Sequence, residues 1–280
     1  MKKLIRKLTK STFMEKLLVV FATDKDDNSF FVKILPRHFQ YTDKDTRIII
    51  RNQIKYEISL NNYNDWLLFF GINNQHKENI YQKIRNGDVV LDVGSNIGEV
   101  LLNMAKVNPE GIIYGFEPVK STFDKLQKNV SLNHFSNIYL NQLALSDKNE
   151  TVFYQSKEGH SGGTMMTKES KVNSPNFIEA MTLDNFVEMN LIEKIDFIKV
   201  DIEGFEMNFI KGALQTLKKH KPSIFIEVDH DKLIRQNSSP EELLSILKSI
   251  GYKVLHVKTN EEIKPSNQKE KHFDVYCKPV

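Results

Sequence analysis

The chain of 280 residues is short of several things, and each shortage excludes something. It has one cysteine, Cys277, so disulfides within the chain and zinc sites built on several thiolates are excluded. That usage suits a reducing compartment. It has no run approaching the roughly 18 apolar residues of a membrane-spanning helix. It lacks a charge excess: the formal net charge is +3, too small to argue for nucleic acid as a partner. It has no internal repeats and no long low-complexity segment. What remains is ordinary for a globular protein. Hydrophobic residues make up 40% and charged residues 27%, and the length suffices for one full α/β core with an extension.

The first twenty residues carry Lys2, Lys3, Arg6, Lys7, Lys10 and Lys16 against one acid, Glu15. Leu4, Ile5, Leu8, Phe13, Met14, Leu17 and Leu18 recur among them at near-helical spacing. A signal peptide fits poorly, because the apolar stretch 17–22 is short and runs into Asp24-Lys25-Asp26-Asp27. A basic amphipathic helix can rest weakly on an anionic membrane surface. A terminal helix packed on its own domain gives the same pattern and is commoner. The expectation is a cytoplasmic protein with at most peripheral membrane contact. Residues 29–35, 47–51 and 55–60 read as short strands of a β-rich extension. Trp66 stands in an apolar cluster with Leu67, Leu68, Phe69 and Phe70. The division expected is an extension over 1–80 and a main domain over 81–280.

The main domain is organised around Val89-Val-Leu-Asp-Val-Gly-Ser-Asn-Ile-Gly-Glu99. Four apolar residues around Asp92 suit a strand buried on both faces. Gly94, Asn96 and Gly98 make a turn, and a helical pattern follows from Val100. Strand, glycine turn and helix form the first half of a nucleotide-binding βαβ unit, whose helix N-terminus offers free N–H groups. A dinucleotide fingerprint needs Gly-x-Gly-x-x-Gly, but Asn96 and Glu99 occupy the second and third glycine positions. S-adenosylmethionine suits the stretch better: it has no phosphate, and Asp92 could help hold its ammonium. The next strand, 111–116, ends at Glu117-Pro118. Glu117 follows Gly94 by 23 positions, close to the roughly 20 expected for an acid that takes ribose hydroxyls.

A third strand is expected over 137–145, with Leu143 and Ala144 near an adenine face. Glu158-Gly-His-Ser-Gly-Gly-Thr164 reads as a loop placed to act as a substrate lid, with His160 a candidate base or orienting donor. The next informative stretch is Ile195-Asp-Phe-Ile-Lys-Val-Asp-Ile-Glu-Gly-Phe-Glu206. Acids at a helix start are stabilising by about 0.3–1 kcal/mol each, which accounts for Glu203 or Glu206 but not for Asp201 at the end of a buried strand. A further strand, 222–230, contains Glu227. Strands alternate with helices through most of the chain, and 252–258 with 273–278 close it as a hairpin. The fold class expected is α/β: a doubly wound, mostly parallel sheet ending in an antiparallel hairpin, with a small N-terminal helix and β extension. Asp92, Glu117, Ala144, Asp201 and Glu227 then fall at carboxyl ends of strands, where such sheets bind ligands.

Taken together, Leu91-Asp-Val-Gly-Ser-Asn-Ile-Gly98, Gly115-Phe-Glu-Pro118, Ala144-Leu-Ser-Asp147, Ile198-Lys-Val-Asp-Ile-Glu-Gly-Phe-Glu206 and Glu227 resemble the FkbM family of S-adenosylmethionine-dependent methyltransferases. The resemblance covers about 87–230. It implies a Rossmann-like class I methyltransferase fold and O-methylation of hydroxyls on sugars or natural products. Carried over by position, Asp92, Gly94, Asn96 and Gly98 contact the methionine part and Glu117 the ribose. Ser95 and Pro118 complete the cofactor set with Leu143, Ala144 and Asp201. The chain departs from the family pattern at Ser95, where a small apolar residue is common, and at Phe205, where a smaller residue is common, both near the expected pocket.

Methyl transfer to an alcohol needs the acceptor positioned and its proton removed. Asp201, Glu203, Glu206, Glu227, His160 and His230 are the candidates for that work, with Asp201 expected to face the cofactor's amino-acid end and one of Glu203, Glu227, His160 or His230 to serve the hydroxyl; no metal is called for. The acceptor expected is a small molecule or a glycan. Two rivals share the fold: an NAD-dependent oxidoreductase, against which the missing glycines count, and a binding module without chemistry. A base methyltransferase acting on nucleic acid would carry Asn/Asp-Pro-Pro-aromatic where Asp201-Ile-Glu-Gly stands.

Overall fold

Seven strands form the central sheet of the computed structural model, which describes residues 12–26, 29–72, 79–157, 160–167, 176–264 and 270–280, and of 12, 154–157, 160–167 and 176 the backbone only. The strands are β3 (Val89–Val93), β4 (Ile112–Phe116), β5 (Ile138–Asn141), β10 (Phe197–Val200), β11 (Ser223–Asp229), β12 (Tyr252–His256) and β13 (His272–Pro279). Their order is β12-β13-β11-β10-β3-β4-β5. From β11 through β5 every neighbouring pair is parallel, and β13 runs antiparallel to both β11 and β12. This is the doubly wound sheet with a closing hairpin that the alternating pattern implies. The central strands β3 and β10 are buried along nearly their whole length, as strands covered on both faces must be.

Two hydrophobic layers cover the sheet. On one face, Leu91, Val93, Ile198 and Val200 pack with α6 (Leu183–Met189), α7 (Glu206–Lys211), α8 (Leu214–His220) and α10 (Pro240–Ser249). On the other, Val90, Ile113, Phe197 and Phe225 pack with α4 (Glu99–Val107) and α5 (Lys120–Ser131). That second layer also takes in the N-terminal residues. Ala22 of α1 (Thr12–Ala22), Val32 of α2 (Phe30–Ile34), Tyr56 of β2 (Ile54–Ser59) and Trp66 and Phe70 of α3 (Tyr63–Phe70) belong to it. β2 pairs antiparallel with β1 (Thr46–Arg51) and docks through asparagines against α5 and the turn that follows it. Asn133 accepts from Lys55 N at 2.9 Å and donates to Lys55 O at 2.9 Å, and Asn129 accepts from Glu57 N at 2.7 Å. The amides stand in for a neighbouring strand and cover an edge that would otherwise be open.

Three expectations need correction. The segment expected as a strand at 29–35 is the short helix α2, because Ser29 caps it by accepting from Val32 N, and burial falls on Val32 without alternation. The third central strand ends at Asn141. The chain then crosses to a second, four-stranded sheet of β6 (Ala144–Leu145), β7 (Glu150–Lys157), β8 (His160–Thr167) and β9 (Asn176–Met181), in the order β6-β9-β7-β8. The Gly/Ser stretch expected as a lid loop is largely β8, whose backbone pairs antiparallel with β7. A ladder asks only for backbone groups, and the glycines supply them.

Candidate active site

The turn after β3 is fixed by close approach. Gly94 lies at φ +85°, and a Cβ there would stand 2.0 Å from the Asp201 carbonyl oxygen. Only glycine lets the β3 and β10 ends run this close. Gly94 N and Ser95 N both donate to Phe116 O, at 3.0 and 2.9 Å, which ties the turn to the end of β4. Ser95 Oγ donates to Asp92 O at 2.9 Å, and Gly98 N closes the turn on Ser95 O. Glu117 is buried and accepts from Asn96 N at 3.1 Å and Val119 N at 3.0 Å. Burial pushes its carboxyl up to about 7, against those two hydrogen bonds. Asn96 itself sits at φ +49°, and its Oδ1 is buried without a hydrogen-bond partner among the described residues.

Asp92 is wholly buried, directly across from Lys199 in the β3–β10 register. Lys199, equally enclosed, bridges the two halves of the site. Its Nζ lies 3.2 Å from Asp92 Oδ1 and 3.6 Å from Asp201 Oδ2, and donates to Gly94 O at 2.7 Å. Burial pulls its pKa down, but the two carboxylates win and raise it. Neither Asp92 oxygen accepts a well-formed hydrogen bond.

The second half gathers around Lys232 of α9 (His230–Arg235). Its Nζ reaches Glu203 Oε2 at 2.8 Å, Glu227 Oε2 at 3.0 Å and Asp229 Oδ2 at 3.8 Å. Asp201 and Glu227 share a hydrogen bond. Burial acts to raise the Asp201 pKa, but Lys199, Lys232 and that hydrogen bond outweigh it and the group is held low. Burial and the charge on Asp201 push Glu227 well up, against Lys232. Within the pair Asp201 is therefore the more acidic member and Glu227 the less acidic one. Asp201 is also the accessible partner, with 41% of its side chain exposed. Burial raises Glu203 too, against the pull of Lys232.

The structure thus brings Asp92 at the end of β3, Gly94, Ser95, Asn96 and Gly98 of the turn, and Glu117 after β4 together, with Pro118 directly after Glu117, and Asp201, Glu203 and Glu227 into one cluster beside them. The remaining candidates belong to neither group. Ala144 begins β6 in the second sheet and is buried in the core, and Leu143 lies in the crossing before it, so neither ends a central strand. Glu206 accepts from Ile202 N at 3.2 Å and Gly204 N at 3.1 Å, which makes it a clamp on the acidic loop. His230 turns to Asp231. The side chain of His160 lies outside the described residues. No group of three or more His, Cys, Asp or Glu side chains suited to a metal ion occurs among the described residues. Sequence reasoning passed over Lys199 and Lys232. A lysine inside the apolar run Phe-Ile-Lys-Val was a usable signal for the first, since a buried lysine requires a partner.

A mostly parallel α/β sheet with a glycine turn after β3 and acids at the ends of β4 and β10 defines the Rossmann-like class to which class I methyltransferases belong. Within that class, residues 92–254 match the Methyltransferase FkbM domain model, more than half of the chain, and the chain belongs to that family. Three relatives are similar over part of their length. Methyltransferase 1 of Beauveria bassiana is 28% identical over 142 residues, 44% of this chain and 57% of its own. The hexuronic acid methyltransferase AglP of Haloferax volcanii is 29% identical over 140 residues, 50% of this chain and 55% of its own. The 2-O-methyltransferase NoeI of Sinorhizobium fredii is 24% identical over 176 residues, 58% of this chain and 71% of its own. The chain thus spans a little over half the length of the first two.

Proposed function

We propose that this chain is an S-adenosylmethionine-dependent O-methyltransferase whose acceptor is a hydroxyl on a sugar, a polysaccharide or a natural product. The catalytic unit is assigned to 81–280 and the extension to 1–80. The observation that carries the reading is the set of buried, under-used acceptors at the glycine turn: Oδ2 of Asp92, the oxygen not paired with Lys199, and Oδ1 of Asn96. Buried polar atoms call for partners. An amino-acid ammonium suits these. Glu117 keeps lone pairs beyond its two backbone bonds for the ribose hydroxyls. Ser95 and Pro118 shape the turn around this group, and Leu143 and Ala144 stand lowest in the cofactor set. The names of the relatives AglP and NoeI support a sugar hydroxyl as acceptor.

Bound S-adenosylmethionine supplies a methyl carbon on a sulfonium, an electrophile open to in-line attack. The chain has to orient the acceptor and take its proton. Asp201 is assigned that proton, being ionised, exposed and within the same ion network as the glycine turn. Glu227 steadies its charge through their shared hydrogen bond, and Glu203 and Lys232 fix Glu227. His160 is retained as a candidate donor to the acceptor.

Calorimetric titration with S-adenosylmethionine, its demethylated product and NAD(H) tests the cofactor assignment. Binding of the first two, weakened at least about tenfold in Asp92→Ala or Glu117→Ala, is expected. Binding of NAD(H) alone would establish the oxidoreductase instead. An acceptor screen of glycans and hydroxylated metabolites then tests the substrate class. Turnover unchanged in both Asp201→Ala and Glu203→Ala would remove the proton assignment.

A further inference from the structure

Helix α1 is amphipathic with part of its apolar surface facing outward. Its inward face holds Glu15 and Ala22, both at 0% exposure. Its outward face holds Phe13 at 78%, Leu17, Val20 at 72% and Phe21, with Lys16 among them. These positions follow i, i+4, i+7 and i+8, one stripe of a helix. The stripe continues onto α2: the Phe21 ring stacks on Phe31 at 5.9 Å, and Phe31 meets Phe30 edge-on at 5.9 Å. Phe30 is 72% exposed. Single exposed apolar residues are ordinary, but a contiguous patch with four phenylalanines marks an interaction surface.

The charge around the patch selects the partner. Lys2, Lys3, Arg6, Lys7 and Lys10 precede the helix in sequence, Lys16 lies on the exposed face and Lys33 on α2. Glu15, the only acid in the first twenty residues, is turned inward and paired with Arg47 at 3.2 Å, so it offsets none of that charge at the surface. Asp24, beyond the helix, stands beside Arg51, and Asp26 and Asp27 follow Lys25 between the two helices, so residues 1–33 carry eight lysines and arginines against four acids and stay cationic overall. An apolar stripe edged by cations is the composition that settles into the headgroup region of an anionic bilayer: the rings bury, and the lysines reach the phosphates. We propose that α1 and α2 form a peripheral docking surface for anionic lipid.

The test uses the full chain and vesicles of phosphatidylcholine alone or in equal mixture with phosphatidylglycerol. Flotation with the anionic vesicles, weak or absent with the neutral ones and falling with salt, is expected. The triple variant Leu17→Ser/Phe21→Ser/Phe31→Ser should lose at least about tenfold in binding, with circular dichroism unchanged. If that variant folds poorly, glutamine at Lys2, Lys3, Arg6, Lys7 and Lys10 serves instead and should cost at least about a hundredfold. Equal binding to both vesicle types overturns the proposal. So does failure to bind either, including the case where sedimentation shows the patch joining two copies of the chain.

Discussion

Lys199 stands between Asp92 and Asp201, and removing its charge would leave the Asp92 carboxyl without its counter-ion in a fully buried position. Breaking a buried pair from one side costs about 3–5 kcal/mol. Lys199→Met should therefore lower the denaturant midpoint by that equivalent, and adding Asp92→Asn should recover more than half of it. A double variant as unstable as the single one would mean that Lys199 acts through packing alone. Glu206 makes a different prediction. Burial pushes its carboxyl up to about 7 from an ordinary value of 4.5, against its own backbone hydrogen bonds. A raised acid contributes its full stability below the unfolded pKa and loses it as pH rises through the folded one. The loss for Glu206 between pH 4.5 and above 7 is about 3 kcal/mol. Gln at 206 keeps an acceptor for Ile202 N and Gly204 N and carries no charge. Glu206→Gln should thus be more stable than the parent at pH 8 and nearly equal to it at pH 4.5, whereas Glu206→Ala should be weaker at both. A Gln variant with the parent's pH slope would refute this. These residues also show what sequence could reveal of the site. Asp92, Glu117 and Asp201 were legible because each acid interrupts or ends an apolar strand. Their separate environments were not, because Lys199 and Lys232 come from positions that only the sheet register and the α9 turn bring near.

At the scale of elements, the turn after β3 has no slack. Gly94→Ala drives a methyl group into the Asp201 carbonyl, which belongs to rigid backbone and cannot move aside. The expected result is loss of the native turn, a drop of at least about 3 kcal/mol and no measurable cofactor binding. Gly87 provides the control. It has a similar φ of +93°, yet nothing lies within 4 Å of an added Cβ. Gly87→Ala should cost only the backbone strain, about 1–2 kcal/mol, with cofactor affinity intact. Similar losses in the two variants, read by thermal melting and titration, would show that conformation rather than contact requires Gly94. The central strands were readable from the sequence because burial on both faces leaves a short continuous apolar run, which is a local signal. The end of β5 at Asn141 was not: residues 142–145 remain apolar enough to extend a strand, and only pairing partners decide that Ala144 and Leu145 join β9. The Gly/Ser stretch failed for the same reason, since its strand depends on β7 more than on its own side chains.

At the scale of the whole molecule, the question is whether the extension is an appendage or part of the core. Trp66 is fully enclosed, donates to Pro36 O at 2.8 Å and shares a hydrophobic layer with Val90, Ile113, Phe197 and Phe225 of the central sheet. A sheet stripped of that layer would turn one apolar face partly to water, and its strands have no polar alternation with which to meet it. The asparagines of α5 and the turn that follows it would lose the β2 edge as well. The full chain should therefore unfold in one transition, with Trp66 fluorescence and far-ultraviolet circular dichroism coincident. Trp66→Ala should shift that single transition by about 3–5 kcal/mol rather than split it. A fragment of 81–280 should be expanded, dye-binding and unable to bind S-adenosylmethionine. A fragment that melts cooperatively and keeps the parent's cofactor affinity would establish the opposite. The layer under Trp66 would then be a cover on a self-sufficient methyltransferase fold, and the extension would be free to serve the acceptor or the membrane without holding up the sheet.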